Sequence, residues 1–422
     1  MNYKQFLNQE AQRLNFEVLK KVIEKAQKKT ALLYTHDDPD GIASGIILKQ
    51  VLEKNNFKVF LEIPTTMELE KWRLQEDVKK YNPEIVFVCD KATMGYYDEY
   101  YKIHPLIFII DHHPLFGEPL KSINVINPVL DGYKRCSASF VCFLIADFLG
   151  FRDEGIEIAA LIGLKGDWAI EPATEEISDY VRSFYDEVKE KFAWLLKKIK
   201  SRPTMFEVRQ RQKTTLLNQI TEIIFALGGG GFQYFYNDRD PELKDVVNGE
   251  FAFYQLEEFL KAPLRVQSEE EFLNSLKEKQ KAKKIFDFYL SDWEHTTLLM
   301  KSSVFVKSVK DTDIFLFVAS NVKLMPMVGS VVLYNMRGKS KDTLFIMVSQ
   351  MGEKGVHFSF RGKLGNIHCG DFAHALAERL AKKFNSPEIT GGGHPFAAEA
   401  RTRMWYPFDE VMIEFFKKLE EV

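Results

Sequence analysis

Four short apolar runs near the start of the chain each lead into polar residues. The runs are ALLYT, KVFLEI, EIVFVC and LIFII, and segments that suit helices separate them. This alternation predicts repeated βαβ units and therefore a parallel sheet. Ligands of such sheets bind beyond the carboxyl ends of the strands, where the acidic and histidine residues of this sequence fall. We therefore expect an α/β domain with one functional edge.

The length of 422 residues exceeds what one core usually supports, so we expect more than one domain. The predicted parts are a parallel-sheet catalytic domain over 1–177, a helical connecting segment over 178–295 and a smaller mixed-sheet α/β domain over 296–422. Within the connecting segment, Ser178 to Gln219 is basic and favours a long helix. Gly228 to Gly231 then favour a hinge or loop.

The last predicted domain contains four runs that favour strands. They are DIFLFVAS, SVVLYNM, DTLFIMVSQ and VHFSFRG, and GEKG between the last two predicts a hairpin turn. The segment DFAHALAERLAKKF predicts a helix near the end of the domain.

Composition narrows the class of protein only modestly. A net charge of -3 neither supports nor excludes a nucleic-acid ligand. The four cysteines show no CxxC pair, which argues against a disulfide scaffold or structural zinc site. The polar N-terminus does not resemble a signal peptide, and the apolar runs are far shorter than the roughly 20 residues that cross a bilayer. We expect a cytoplasmic enzyme without a membrane role.

The first cluster of candidate site residues follows the first run. His36, Asp38 and Asp40 are spaced two apart, and Gly41 permits a sharp turn after them. Carboxylates packed this densely repel each other unless a cation compensates them, which favours a metal site. A helix N-cap is the alternative, because aspartate is favoured there, but one cap requires only one aspartate.

Further candidates follow later apolar runs. Asp90 ends EIVFVC, and the triplet Asp111, His112 and His113 ends LIFII. Alone, Asp90 suits a turn, and the two histidines suit one core and one exposed position. Together, imidazole and carboxylate ligands suit manganese or a similar ion. Asp167 in the apolar context ALIGLKGDWA also needs a partner, and a cation is sufficient.

The last predicted domain carries candidates for anion binding. Glycines at three consecutive positions let a backbone approach an anion, with a histidine donor beside them, although a flexible loop is the alternative. The residues are Gly391, Gly392, Gly393 and His394. Arg361 is a candidate phosphate clamp or a solvated residue at a strand end. Ser137 and Ser139 suit either helix caps or phosphate contacts.

Five segments together resemble one family. HDDPDGIAS, VFVCD, IDHHP and GLKGDWA, in this order, resemble the motifs of the DHH phosphoesterase family, in its RecJ-like or oligonucleotide phosphodiesterase branch. TGGGHPFAA resembles the signature of the companion DHH-associated domain. The resemblance spans most of the chain, but it does not cover residues 178–290.

The resemblance implies a pair of divalent ions, usually Mn²⁺, with Mg²⁺ or others as alternatives. It implies that Asp90 bridges them, that Asp111 orients the histidines and that His113 contacts the scissile phosphate. The glycine segment with His394 would bind substrate. The implied metal ligands are His36, Asp38, Asp40, Asp90, His112 and Asp167.

The implied reaction is hydrolysis of phosphodiester bonds by a metal-activated water. We expect exonuclease-like action on single-stranded DNA or RNA or on short oligonucleotides. A basic, aromatic stretch from Phe192 to Lys200 suits either a strand channel or an amphipathic helix. Cyclic dinucleotides or small nucleotide phosphates are alternative substrates. A non-catalytic, replication-associated protein of the same fold is a further alternative, and protein partners and oligomeric state stay open.

Overall fold

The computed structural model describes residues 1–200, 202, 213–229 and 236–422. These residues form two compact units, Met1–Phe286 and Asp287–Val422. The predicted connecting segment of 178–295 therefore lies mostly within the first unit. Its predicted boundaries, at 177 and 295, stay predictions.

A parallel sheet forms the centre of the first unit. Its strand order is β2-β1-β3-β5-β7, and every neighbouring pair is parallel. The central strands are buried along their length, as expected where helices cover both faces of a sheet. The strands of the unit are β1 (Thr30–Tyr34), β2 (Lys58–Glu62), β3 (Ile85–Cys89), β4 (Thr93–Met94), β5 (Ile107–Ile110), β6 (Leu115–Phe116), β7 (Asn124–Ile126), β8 (Ile170–Glu171), β9 (Glu176–Ile177), β10 (Lys198–Lys200) and β11 (Lys213–Thr215).

The helices of the first unit include three with strong sequence signals for their starts. Asp38, Ser137 and Asp153 each cap a helix by accepting a backbone N–H. None of the helices in the described residues is both long and apolar enough to cross a membrane. The helices are α1 (Tyr3–Arg13), α2 (Phe16–Lys25), α3 (Pro39–Lys54), α4 (Lys71–Tyr81), α5 (Ala138–Phe148), α6 (Glu154–Gly166), α7 (Arg182–Val188), α8 (Ala193–Leu196), α9 (Leu216–Gly228), α10 (Asn248–Lys261), α11 (Glu269–Ser275) and α12 (Lys279–Leu299), the last of which runs into the second unit.

The prediction of one long helix from Ser178 to Gln219 is wrong. Helix α8 ends at Leu196, and Lys197 adopts an extended backbone conformation. Strand β10 then pairs antiparallel with β11. The lysine, isoleucine, lysine alternation of β10 and the threonines of β11 favour strands, and this local preference outweighed the charge pattern. Of the predicted glycine hinge, Gly228 ends α9 and Gly229 caps it with φ 86°, whereas 230 and 231 lie outside the described residues.

The sequence left the stretch from Phe192 to Lys200 open between a strand channel and an amphipathic helix. Phe192 is fully buried, so its ring has no face for a base. Trp194 is partly buried, and Lys198 faces Glu175 with a nitrogen to oxygen distance of 3.5 Å. The amphipathic alternative describes Phe192 better than the channel does.

The second unit contains a mixed sheet, as predicted. Its order is β12-β13-β14-β15-β17-β16; β13 and β14 are parallel, and the other neighbouring pairs are antiparallel. The predicted hairpin joins β14 and β15, and the predicted helix is α14. One face of the sheet packs on α14 and α15 through apolar side chains such as Phe358 and Phe372. The elements are β12 (Val304–Val309), β13 (Thr312–Ser320), α13 (Met325–Leu333), β14 (Asp342–Gln350), β15 (Val356–Gly362), α14 (Cys369–Phe384), β16 (Thr390–Gly393), β17 (Ala397–Arg401) and α15 (Phe408–Glu420).

The run SVVLYNM does not form the predicted strand. It overlaps the end of α13 and the turn after it. Pro326 stands in the first turn of α13, where proline favours a helix start, and Gly329 allows close packing against Met347. A short apolar run does not distinguish a buried helix from a strand by its periodicity, which explains the error.

Candidate metal centre

The carboxyl ends of three adjacent strands bring the candidate residues of the first unit together. His36 and Asp38 follow β1, Asp90 follows β3 and Asp111 follows β5. These strands are neighbours in the sheet, so the loops after them share one edge. Three groups of possible metal ligands form there, each with ligand atoms within 4.8 Å of one another. The groups are His36, Asp38 and Asp90; Asp40, His112 and Asp167; and Asp90, Asp111, His112 and His113.

The first ligand group is built at the start of α3. His36 Nδ1 lies 3.0 Å from Asp38 Oδ2 and 3.9 Å from Asp90 Oδ2. The other oxygen of Asp38 accepts a hydrogen bond of 2.9 Å from the N–H of Gly41, which caps the helix. A Cβ on Gly41 would lie 2.6 Å from the carbonyl oxygen of His36, so the loop requires glycine there. The N-cap and the metal-site hypotheses for Asp38 are therefore compatible, one oxygen for each.

The second ligand group is held by the N-terminus of α5. The backbone N–H groups of Ala138 and Ser139 donate to Asp40 at 2.6 and 3.0 Å. A helix N-terminus favours a negative charge, so it holds this buried carboxylate in place. His112 Nε2 lies 2.7 Å from Asp167 Oδ2 and 3.7 Å from Asp40 Oδ2. Of the two undecided serines, Ser137 caps α5 by accepting the N–H of Phe140, and Ser139 is the second residue of that helix.

Asp90 lies between the two groups. Its Oδ1 is 3.3 Å from His112 Nε2, and its Oδ2 is on the side of His36. The residue is 1% exposed, and among the described residues neither oxygen accepts a hydrogen bond of normal geometry. Buried carboxylates without such bonds are rare, because desolvation of the charge is costly. Divalent cations would supply the missing partner, so the residues present fit a metal centre.

The electrostatics of the edge support the same conclusion. Burial, together with the charges of Asp38 and Asp40, raises the pKa of Asp90 well above its usual range. Burial and Asp167 raise the pKa of Asp40 to about 8. Burial lowers the pKa of His112, but Asp167 and Asp90 outweigh it and raise that pKa well above its usual value. In the absence of a cation, these raised pKa values favour bound protons, which reduce the negative charge of the site.

The side chains of Asp111 and His113 form a separate hydrogen-bonded chain. Asp111 Oδ1 lies 2.8 Å from His113 Nδ1, and Thr93 donates to Asp111 Oδ2 at 2.6 Å. Asn127 donates to Thr93 Oγ1 at 3.0 Å and to the carbonyl of His113 at 2.8 Å. The resemblance implies that Asp111 orients both histidines, and in the structure its side chain bonds to one of them, His113. Thr93 and Asn127 escaped the sequence analysis because single polar residues in loops carry no motif.

Two buried charged residues beside the ligands were also missed. Asp37 is 1% exposed, and burial raises its pKa to about 6. Lys91 is fully buried, burial lowers its pKa to about 8, and its Nζ donates to the carbonyls of Pro64 and Thr66. The sequence signal was present in both cases, since each residue directly adjoins a predicted ligand.

Arg361 in the second unit is half-buried on β15. Its Nε donates to Ser330 Oγ at 3.0 Å, and its Nη1 donates to the carbonyl of Phe360 at 2.9 Å. The guanidinium is therefore held in one orientation and is not a solvated strand end. Ser359 points to the same face of the strand and is buried, with no hydrogen bond to its hydroxyl among the described residues. The sequence analysis did not select Ser359.

The predicted glycine loop is part of edge strand β16, which pairs with β17. A Cβ on Gly391 would lie 2.5 Å from the carbonyl oxygen of Ala373, and one on Gly393 would lie 2.6 Å from that of Ala397. Packing therefore explains these two glycines. Gly392 has open space where a Cβ would stand, and His394 beside the strand is exposed. A backbone approach by a ligand remains a hypothesis for Gly392.

The fold and this edge together define an α/β protein with a buried carboxylate and histidine site suited to divalent cations. Residues 30–164 match the family model of the DHH family, N-terminal domain. These are the residues that contain β1 to α6 and most of the candidate ligands. Over these residues, about a third of its length, the chain is similar to the N-terminal domain of the DHH family.

Known proteins resemble this chain over different extents. An uncharacterized protein of Methanocaldococcus jannaschii is 30% identical over 147 residues, which is 33% of this chain and 33% of that protein. The match thus spans about a third of this relative. A DHH-domain structure of a member of the s1p family of ribosomal proteins superposes with a TM-score of 0.60 at 16% identity, covering 99% of this chain and 91% of that one. The structure of RecJ from Thermus thermophilus in complex with Mn²⁺ superposes with a TM-score of 0.55 at 15% identity, covering 99% of this chain and 54% of RecJ. At these identities the structures establish a shared fold.

Proposed function

We propose that this protein is a two-metal phosphoesterase that hydrolyses phosphodiester bonds in single-stranded nucleic acid or short oligonucleotides, in an exonuclease-like manner. The observation that carries the proposal is Asp90, a buried carboxylate that accepts no hydrogen bond of normal geometry from the described residues and stands between two groups of ligands. The match of residues 30–164 to the DHH family model supports it. Mn²⁺ is the proposed ion, since RecJ of the same fold was solved with Mn²⁺.

The proposed ligands fall into two sets that share Asp90. One set is His36, Asp38 and Asp90, and the other is Asp40, His112 and Asp167 together with Asp90. Divalent ions in such a site lower the pKa of water and neutralise charge on phosphoryl oxygens. The protein supplies the fixed geometry, because α3 and α5 hold Asp38 and Asp40 through backbone N–H groups.

His113 is the proposed contact to the scissile phosphate. Its side chain is 25% exposed, compared with 8% for His36 and 15% for His112, so it is the most accessible of the three imidazoles. Asp111 accepts from Nδ1 of His113, which leaves Nε2 to face a substrate oxygen. Asp111 is therefore a proposed positioning residue.

Substrate binding is proposed for the polar face of the second unit. Arg361 presents a planar fork that suits two phosphate oxygens, and its bond to Ser330 fixes the orientation of that fork. Gly392 and His394 are proposed to contact the substrate from the edge of the same sheet. Gly391 and Gly393 are proposed to shape this edge.

The length of the substrate is the least constrained part of the proposal. Because Phe192 is buried, the stretch around it no longer favours a long strand over a small nucleotide. Cyclic dinucleotides and small nucleotide phosphates therefore stay as alternative substrates. A non-catalytic protein would be expected to lose ligands, whereas all six proposed ligand positions keep a competent side chain.

Hydrolysis of a graded substrate set tests the proposal. The set runs from nucleotide monophosphates and cyclic dinucleotides through a dinucleotide to a long single strand and a duplex, each with Mn²⁺ and with chelator. We expect stepwise shortening of single strands by the wild type and none by Asp90→Ala. The matched control is Asp77→Asn, a buried carboxylate of the same unit that bonds to Tyr34. Cleavage of small nucleotides alone would support the alternative substrates, and cleavage that survives in Asp90→Ala would contradict the metal site.

A further inference from the structure

The imidazole of His36 has carboxylates on both sides. Its Nδ1 faces Asp38 at 3.0 Å and Asp90 at 3.9 Å. Its Nε2 faces Asp37, whose Oδ1 lies 3.4 Å away. The ring thus stands between two proposed ligands and a carboxylate that belongs to neither ligand group.

Asp37 is as deeply buried as Asp90. It is 1% exposed, and neither of its oxygens accepts a hydrogen bond of normal geometry from the described residues. The buried cation Lys91 directs its Nζ to the carbonyls of Pro64 and Thr66. Among the described residues, the ion pair recorded for the Asp37 carboxylate is the one with His36 Nε2.

Two helices hold Asp37 in place from outside the matched DHH residues. A Cβ on Gly228 of α9 would lie 2.2 Å from the carbonyl oxygen of Asp37. A Cβ on Gly249 of α10 would lie 3.2 Å from Asp37 Cβ and 2.8 Å from Ile63. The backbone and side chain of Asp37 are thus confined by close contacts with glycines, which restricts the direction of its carboxylate.

We propose that Asp37 is a positioning residue that accepts the proton of His36 Nε2 and so presents Nδ1 of His36, with its lone pair, to a cation shared with Asp38 and Asp90. A metal-ligating histidine commonly donates its second N–H to a carboxylate, which fixes both the tautomer and the ring orientation. Here the helices α9 and α10 extend that support beyond the motif residues. This inference rests on the proposed metal role of His36.

The test is Mn²⁺ binding measured by calorimetry on the full chain, with metal removed beforehand. The variants are Asp37→Ala, which removes the acceptor, and Asp37→Asn, which keeps an acceptor oxygen. Loss of an outer partner of a ligating histidine typically weakens metal affinity about 10-fold to 100-fold, so we expect this loss at one of two sites in Asp37→Ala. Asp37→Asn should recover most of the affinity, and Asp77→Asn should match the wild type.

A second readout separates positioning from a purely structural role. Because Asp37 forms no hydrogen bond of normal geometry, its replacement by asparagine should leave the Tm of the metal-free protein unchanged or raised. Wild-type affinity at both ion sites in Asp37→Ala would overturn the inference. An equal loss of affinity at both sites, together with a lower Tm of the metal-free protein in Asp37→Ala and in Asp37→Asn, would also overturn it. If the wild type binds no pair of ions, the proposed function itself fails, and this result is distinguishable because it does not involve Asp37.

Discussion

The carboxylate of Asp40 lies directly against Gly163, so that a methyl group added to this glycine would come within 2.4 Å of Asp40 Oδ1. The same methyl group would lie 2.0 Å from Ser139 Oγ. Helix α6 therefore approaches the second ligand group through a position that tolerates no side chain. The requirement for glycine arises from the site, since helix interiors otherwise disfavour it.

Gly163→Ala is expected to displace Asp40 from its ligand position. Overpacking of this kind costs about 1 to 3 kcal/mol of stability, and a ligand moved by about 1 Å is expected to lower kcat about 100-fold. Thermal unfolding and steady-state hydrolysis measure the two effects. Gly166→Ala on the same helix is the control, because its nearest neighbour is a proline side chain at 3.1 Å. Wild-type activity in Gly163→Ala would show that Asp40 is not a ligand.

Asp90→Asn is expected to separate stability from activity. The substitution replaces a buried carboxyl group that accepts no hydrogen bond of normal geometry from the described residues, and whose pKa burial and two neighbouring carboxylates raise well above its usual range. The metal-free protein should become more stable by about 1 kcal/mol, a typical size for a point substitution. Hydrolysis and Mn²⁺ binding at the shared position should be lost. Denaturant unfolding with and without Mn²⁺ tests this, and a less stable metal-free Asp90→Asn would contradict the assignment.

Metal-free stability is expected to fall as pH rises from about 6.5 to 8, the range between the ordinary pKa of histidine and the raised pKa of Asp40. The folded pKa of Asp40 is raised to about 8, so over this interval the folded chain keeps a proton that the unfolded chain has already released. The folded pKa of Asp37 is raised to about 6, so its contribution is lost at lower pH, before this interval begins. The pKa values of His36 and His112 are also raised, and their contribution is likewise lost as pH rises through the folded pKa. All four shifts therefore act in the same direction.

Chelator-treated protein unfolded by denaturant at several pH values checks this dependence. Saturating Mn²⁺ should flatten the slope, because the ion binds deprotonated ligands and replaces the protons. Asp40→Asn should reduce the slope without metal. A metal-free stability that rises over this interval would contradict the raised pKa values.

Sequence patterns predicted the parallel sheet because four of its five strands each carry an apolar run with a polar end, whereas the short strand β7 was not predicted. For the first cluster these patterns offered a metal site or a helix N-cap, and one oxygen of Asp38 accepts the capping hydrogen bond while the other faces His36 Nδ1. The prediction of a long connecting helix was wrong because a charge pattern does not determine backbone conformation. The prediction of a strand at SVVLYNM was wrong because a short apolar run suits a buried helix equally well. Asp37 and Thr93 were missed because their importance depends on neighbours that are distant in sequence or on burial.

Arg361→Ala is expected to weaken substrate binding more than turnover. A hydrogen bond to a charged group contributes about 1.5 to 3 kcal/mol, so KM should rise about 10-fold to 100-fold while kcat changes less. Arg361→Lys keeps the positive charge but lacks the planar fork, so its KM should lie between those of the wild type and Arg361→Ala. Ser330→Ala, which removes the bond to Nε, should raise KM slightly. An unchanged KM in Arg361→Ala would remove this residue from the substrate site.

The most direct measurement of the central claim is anomalous X-ray diffraction from crystals grown with Mn²⁺. Two manganese peaks are expected, one among His36, Asp38 and Asp90 and the other among Asp40, His112 and Asp167, with the Asp90 carboxylate contacting both. Crystals of Asp90→Ala should lose at least one peak. Wild-type crystals with no manganese at this edge, or with a single ion that Asp90 does not contact, would contradict the two-metal site.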